Sequence, residues 1–351
     1  MPKVRFSGVV RGEDDPNRRI RARLLYRLFN AGWDIYNGNG DQEVTLGNIQ
    51  KKIIESDAFI FTPGATLEDM FKAASIFVGL QTNDCALLGK PVVVVNKDGS
   101  WDPFISLVEH LHEMGTVSQT IDTFISFVNR PKEVLQLLQY DLEQRCDLPK
   151  ENVENEKYSH EQHSSRAEPD FNVCVFCSAS IKKAPYLQAG LDLGAMLAEE
   201  NWGCVSGAGN TGIMGSIVTG ANQSGGWTAG SNVPHIIEME GLPEGLDMFW
   251  PRMDIYTRME IMIEKSDSFV VMPGGMGTFQ ELLALILMLQ QDSPLMRGKS
   301  IVIVNRVDEE TGKPFWDPLV DMLKSYNVSE RCTFVSDIKD IIPTIKNLHN
   351  L

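Results

Sequence analysis

The sequence predicts an α/β protein of two domains related by internal duplication, each built on a doubly wound, mostly parallel sheet. Three observations carry this. Short apolar, β-branched runs alternate with amphipathic stretches of helical length, the pattern of strand–helix–strand units with right-handed crossovers. The chain also repeats itself: Glu55-Ser56-Asp57-Ala58-Phe59-Ile60-Phe61-Thr62-Pro63-Gly64 is answered by Lys265-Ser266-Asp267-Ser268-Phe269-Val270-Val271-Met272-Pro273-Gly274. Its 351 residues suffice for two full cores.

The first copy opens with a strand over Val4 to Val10 and a helix from about Arg19 to Asn30. The second opens with a strand over Val173 to Cys177 and a helix from about Tyr186 to Glu200. Asn30-Ala31-Gly32-Trp33 and Glu200-Asn201-Trp202-Gly203 then lead into a second strand in each copy. Farther on, Gly89-Lys90-Pro91-Val92-Val93-Val94-Val95-Asn96 echoes Gly298-Lys299-Ser300-Ile301-Val302-Ile303-Val304-Asn305. Trp101-Asp102-Pro103 likewise echoes Trp316-Asp317-Pro318. Between the copies, Gln139 to Asp170 has no apolar period and reads as a flexible, partly disordered linker. The expected division is a first domain at 1–138, a linker at 139–170 and a second domain at 171–351.

Charged residues at 23% and hydrophobic residues at 43% describe an ordinary globular composition. The net charge of −15, with no basic stripe to offset it, argues against nucleic-acid binding. Part of that acidity is local, because Asp141 to Asp170 holds nine acidic and four basic residues. No apolar run reaches membrane-spanning length and no charged-then-apolar leader is visible, so a cytoplasmic protein without membrane partners is expected. Cys85, Cys146, Cys174, Cys177, Cys204 and Cys332 lack a framework spacing and read as reduced thiols.

Chemistry is concentrated in the second copy. Pro273-Gly274-Gly275-Met276-Gly277-Thr278-Phe279-Gln280-Glu281 follows a strand and opens a helix, so its backbone N–H groups form a seat for an anion. Glu281, one turn on, would repel a bound phosphate, so binding alone does not explain it. Gly207-Ala208-Gly209-Asn210-Thr211-Gly212-Ile213-Met214-Gly215 is a second nest of this kind. It spells G-x-G-x-x-G but follows the second strand of its unit, and the nearest acidic residue for a ribose, Glu238, lies farther on than the dinucleotide pattern asks. Arg258 stands on a helix before the second glycine-rich loop. The first copy reads Pro63-Gly64-Ala65-Thr66-Leu67-Glu68-Asp69, two residues shorter, with Asp69 facing the slot of Glu281. It has Asn48 where the second has Arg258, and it skips most of the segment matching Gly207 to Gly241. The first copy is expected to have kept the core and lost the site, leaving it an effector site or an interface.

These residues resemble the LONELY GUY family, also labelled lysine decarboxylase-like. Pro273 to Glu281 matches its P-G-G-x-G-T-x-x-E signature, and Arg258 its preceding arginine. Val175-Phe176-Cys177-Ser178-Ala179-Ser180 is similar to its first-strand motif, and Gly207 to Gly215 to its glycine loop. The family's His, Lys and first Glu are here Tyr256, Met259 and Gln280. The resemblance implies a Rossmann-like nucleotide-binding fold that commonly dimerises, and hydrolysis of the N-glycosidic bond of a purine nucleoside 5′-monophosphate to base and ribose 5-phosphate. Cytokinin-activating enzymes and AMP nucleosidases belong to the family.

The roles follow from the chemistry of an oxocarbenium-like transition state. Glu281 stabilises the developing positive charge and orients or deprotonates water. Arg258 binds phosphate or charge on the departing base. Gly207, Gly209, Asn210, Thr211, Gly212, Gly274, Gly275, Gly277 and Thr278 form the phosphate and nucleotide site. Ser178 and Ser180 sit at its ligand edge. No metal and no cofactor is called for, and nothing marks a lysine poised for pyridoxal phosphate. A nucleotide or cofactor carrier without turnover is the competing reading. The two copies are expected to pack as an intrachain pseudo-dimer, with or without further homo-oligomerisation.

Overall fold

The computed structural model describes residues 2–7, 15–37, 53, 55–84, 86–143 and 161–351. The chain divides into two compact units, Met1–His112 with Ser118–Asn152, and Glu113–Val117 with Val153–Leu351.

In the first unit the elements run β1 (Lys3–Ser7), α1 (Arg18–Asn30), β2 (Asp34–Asn37), β3 (Ala58–Phe61), α2 (Leu67–Gln81), β4 (Val92–Val95), α3 (Asp102–Glu113), β5 (Ser126–Val128) and α4 (Pro131–Glu143). All described pairings are parallel, in the order β2-β1-β3-β4-β5. β3 and β4 are buried at every position, as parallel strands covered on both faces must be. Leu24 and Leu28 on α1 and Val134 and Leu138 on α4 pack with Val4, Ile60, Val93 and Val95 in one apolar cluster. Each such side chain contributes about 1.5–3 kcal/mol by leaving water.

The second unit runs β6 (Gln162–His163), β7 (Asn172–Phe176), α5 (Ala184–Glu199), β8 (Gly203–Ser206), α6 (Gly212–Gln223), β9 (Thr228–Asn232), α7 (Pro234–Glu240), β10 (Met248–Pro251), α8 (Ile255–Glu264), β11 (Ser268–Val271), α9 (Met276–Gln290), β12 (Ser300–Val304), α10 (Asp317–Ser325), β13 (Thr333–Val335) and α11 (Ile341–His349). Its sheet has the order β13-β12-β11-β7-β8-β9-β10-β6. Within it β8-β7-β11-β12-β13 repeats the first unit's order, and β9, β10 and β6 extend the β8 edge. Two mostly parallel sheets that share one five-strand order bear out the α/β duplication.

Inside the span expected to be linker, α4 continues to Glu143, and Gln162–His163 pair antiparallel with β10. Ser164 Oγ donates to Asp247 at 2.6 Å, and the Arg166 guanidinium donates to the Gly226 carbonyl at 2.8 Å and to Asp247 at 3.1 Å. These residues attach to the second unit through polar contacts, which leave no apolar period in the sequence. Residues 144–160 of the span lie outside the described residues. So do 8–14, where the first strand was expected to continue past Ser7, and Asn48. Among the described residues no helix is long and apolar enough to cross a membrane.

The Gly207 loop is aimed by the helix that follows it. α6 packs so closely on α5 that a Cβ on Gly194 would lie 2.1 Å from the Ile217 carbonyl oxygen and 2.6 Å from the Ala221 nitrogen. Backbone atoms cannot yield as a flexible side chain does. Gly194→Ala is therefore expected to destabilise the protein by about 1–3 kcal/mol in chemical denaturation, despite the better helix propensity of alanine. At Gly277, where a Cβ would meet nothing within 4 Å, Gly277→Ala is expected to leave stability unchanged or slightly raised.

Candidate functional site

From β7 the chain moves outward through β8, β9 and β10, then returns to the opposite side of β7 as β11. This reversal leaves a crevice at the carboxyl ends of β7 and its neighbours, the place where open parallel sheets receive ligands. Ser178 follows β7, Gly207 follows β8, and Pro273 follows β11.

Ser178 is buried, and its hydroxyl accepts from the N–H groups of Ser180 and Ile181, both at 3.0 Å, and shares a hydrogen bond with Ser180 Oγ at 2.9 Å. Its carbonyl accepts from the N–H groups of Ile213 at 2.9 Å and Met214 at 3.3 Å. Thr211 Oγ1 donates to the Ala179 carbonyl at 2.9 Å. Gly212 has φ +60°, and a Cβ there would lie 2.6 Å from the Ala179 carbonyl, so only glycine makes this crossing. The serine turn and the start of α6 thus satisfy one another. Of the donors expected to face a phosphate in this loop, Gly209 N–H is directed at Met214 Sδ at 3.0 Å, and Asn210 N–H donates to the Glu240 carbonyl at 3.3 Å. Thr211 and Gly212 keep theirs free of acceptors among the described residues.

The start of α9 is more open. Gly275 is its N-cap, and the N–H groups of Met276, Gly277 and Thr278 meet no acceptor among the described residues. Space lies in front of Gly277. The Thr278 side chain fills the place a Cβ on Gly274 would take, with Oγ1 2.1 Å from that point. The Thr116 carbonyl, in the segment Glu113–Val117 of this unit, lies 2.7 Å from the corresponding point on Gly275 and accepts from Ser180 Oγ at 3.4 Å. Nothing in the sequence pointed to Thr116.

One turn into α9, Glu281 is 5% exposed and Arg258, on α8, is 8% exposed. Arg258 Nε donates to the Ser231 carbonyl at 2.8 Å, Nη2 to the Gly207 carbonyl at 3.3 Å, and Nη1 to Glu281 Oε1 at 3.3 Å. Three donors of the guanidinium are thereby committed to the protein. The sequence left Arg258 a choice between phosphate and the departing base; in the structure it faces the carboxylate. Burial is the main cause that pushes the Glu281 pKa up to about 7, opposed by Arg258 and reinforced by the Glu240 carboxylate. Glu281 can therefore exchange a proton near neutral pH.

Glu240 had no signal in the sequence. It ends α7, and its Oε2 lies 2.3 Å from where a Cβ on Gly209 would stand. Burial raises its pKa, against the lowering effect of Arg258. Cys174 and Cys177 are buried thiols whose pKa values burial drives well up, and neither forms a disulfide. Among the described residues no cluster of three or more His, Cys, Asp or Glu is arranged to hold a metal.

The first copy's turn is closed by its own chain. Gly64 and Ala65 N–H groups donate to Ser100 Oγ at 2.9 and 3.0 Å. Buried Arg21 donates to Thr62 Oγ1 at 3.1 Å and to the Pro63 carbonyl at 2.5 Å, and pairs with Asp15. Its register also differs from expectation. α2 and α9 are each 15 residues long, so matching their starts sets Asp69 against Thr278 and Lys72 against Glu281. The loop before the helix is one residue longer than in the second copy, because Thr66 and Asp69 form a capping box that fixes where α2 begins. The slot of the carboxylate holds a buried lysine paired with Glu68.

Comparison with known proteins agrees with the duplication. The family model described as "Possible lysine decarboxylase" matches residues 50–138 and 214–350, one segment in each copy. The cytokinin riboside 5′-monophosphate phosphoribohydrolase of Mycobacterium tuberculosis is 31% identical over 176 residues, 49% of this chain and 92% of that protein. The Mycobacterium marinum protein of the same name is 27% identical over 174 residues, 49% of this chain and 91% of its own length. Among solved structures, the molybdenum cofactor binding protein of Rippkaea orientalis matches at 22% identity and a TM-score of 0.38, over 53% of this chain and 99% of that one. The Moco carrier protein of Chlamydomonas reinhardtii matches at 21% and 0.38, over 52% and 98%. With both copies matched by one model and the mycobacterial relative covered almost end to end, the chain belongs to the family described as possible lysine decarboxylases, the LONELY GUY family that its glycine-rich motifs resemble.

Proposed function

We propose that the second unit hydrolyses the N-glycosidic bond of a purine, adenine-type nucleoside 5′-monophosphate, releasing free base and ribose 5-phosphate, as an AMP nucleosidase-like N-glycosidase. One observation carries the reading: a buried, proton-exchanging Glu281 held by Arg258 lies one turn behind the unengaged N–H groups of Met276, Gly277 and Thr278. Phosphate bound at those N–H groups tethers the substrate, so that its binding energy acts at the reacting bond. As the bond from C1′ to the base nitrogen breaks, its electron pair leaves with the base and positive charge grows on the sugar. Glu281 stabilises that charge and takes the proton of the water whose oxygen bonds to C1′, while the departing base nitrogen takes up a proton from solvent. Arg258 acts by holding the carboxylate in place and favouring its ionised form. The relatives named as phosphoribohydrolases support this reaction class. Met259, where the family motif has lysine, is buried, as are Tyr256 and Gln280, so all three departures lie inside the protein. Buried free thiols are in keeping with a cytoplasmic protein. An intrachain pseudo-dimer of the two copies is our proposal from the duplication, to be measured by solution scattering.

Incubation with AMP is expected to release adenine, and Glu281→Gln to lower kcat roughly 100-fold or more. Tight AMP binding with no base released would establish the carrier reading instead. Because the ionised carboxylate is the working form, kcat/KM is expected to rise with pH through about 7 and then level off. A profile that falls through this range would assign Glu281 as an acid and refute the mechanism.

The same group links stability to pH. A carboxyl raised from 4.5 to about 7 in the folded state binds a proton there that the unfolded chain has already lost. Its stabilising contribution is complete below about 4.5 and is lost as pH rises through about 7. Relative to Glu281→Gln, the native protein is expected to lose on the order of 1 kcal/mol per pH unit across that window and to show no further slope above it, in denaturation series at fixed pH.

A further inference from the structure

We infer that Glu240 receives the ribose hydroxyls of the substrate and makes the site select a ribosyl over a 2′-deoxyribosyl group. The inference rests on the nucleotide reading of the site given above. Glu240 is half-buried, and among the described residues its carboxylate accepts no hydrogen bond and has no cation at ion-pairing distance, Arg258 acting on it only from farther away. A carboxylate is an acceptor, and one that the protein gives no donor is open to those of a ligand. A nucleoside monophosphate offers donors at the ribose diol and at nitrogens of the base. Position favours the diol. Glu240 lies against Gly209 and within the electrostatic reach of both Arg258 and Glu281, the carboxylate assigned above to the reacting bond. The 2′-hydroxyl is on the carbon next to that bond, and two vicinal hydroxyls can donate to one carboxylate together.

In dinucleotide-binding units an acidic residue about 20 positions after the glycine loop binds the ribose 2′-hydroxyl. Here the chain takes about 30 positions, through α6, β9 and α7, and then returns the carboxylate to its own glycine loop. Asn210 N–H, donating to the Glu240 carbonyl at 3.3 Å, fastens that return. The role that spacing denied to Glu238 is met in three dimensions by Glu240, two residues on.

The test compares kcat/KM for AMP and 2′-deoxy-AMP in the native protein, Glu240→Ala and Glu240→Gln. The different intrinsic lability of the two glycosidic bonds cancels in the ratio between proteins. Glu240→Ala is expected to lower kcat/KM for AMP roughly 10- to 100-fold and that for 2′-deoxy-AMP by far less, drawing the two together. Glu240→Gln, which keeps one acceptor oxygen and the side-chain volume, should fall between; thermal melting reports whether each variant is folded. If a folded variant leaves the ratio unchanged, whether both rates fall or neither does, Glu240 does not bind the diol, while base release by the native protein leaves the proposed function standing. If the native protein releases base from neither nucleotide, the functional reading fails and this inference fails with it.

Discussion

A guanidinium and a carboxylate taken out of water each carry a penalty of several kcal/mol, and their attraction offsets it only where the remaining donors are satisfied. Arg258 meets this condition by reaching three places at once. Its donors go to the carbonyl of Ser231 in β9, to the carbonyl of Gly207 beyond β8, and to Glu281 in α9. The pair therefore joins two strand ends to the helix that follows β11, across the reversal of the sheet. Gly207 is a glycine for the same reason, since a Cβ there would stand 2.0 Å from Arg258 Nη2. Removing either partner would leave the other buried and uncompensated, so the crevice depends on the pair as much as the reaction does.

The arrangement also accounts for the inequality of the copies. Ser231 and Glu240 belong to β9 and α7, which lie in the extension that the second sheet adds to the five-strand order shared by both. In the first copy Ser100 meets the N–H groups of the turn and Arg21 lies over it, so polar groups an anion would otherwise meet are satisfied within the protein. Lys72 in the carboxylate's slot reverses the charge on which the chemistry depends. Duplication preserved the packing of strands and helices, which requires only apolar volume, while the polar constellation diverged.

Much of the fold was legible because its signals are local. Strands such as Ala58–Phe61 and Ser268–Val271 are short apolar runs buried on both faces, and their repetition at matching spacing disclosed the two sheets. The turn at Pro273 to Thr278 was legible for a similar reason, since clustered glycines between a strand and a helix mark a sharp turn with an open backbone whatever surrounds it. The docking of Ser164 and Arg166 was hidden, because polar residues that attach through Asp247 look the same in sequence as polar residues in water. The misplacement of Asp69 had another cause. Setting Asp69 against Glu281 took the first turn as two residues shorter, whereas its helix starts where the capping box forms, one position farther from the proline than in the second copy.

The amino-acid sequence by itself determined the class, the duplication, and which copy carries Arg258 and Glu281, because residue type and order suffice for apolar periodicity and for motif comparison. Tertiary structure alone decided what those residues face. Arg258 is turned to Glu281 by carbonyls from distant strands, the α6 loop has donors already engaged by Ser178 and Met214, and Glu240 returns to Gly209 by way of a crossover. Hydrogen-bond partners and the burial that moves a pKa are set by chain segments remote in sequence, and spacing along the chain does not encode them.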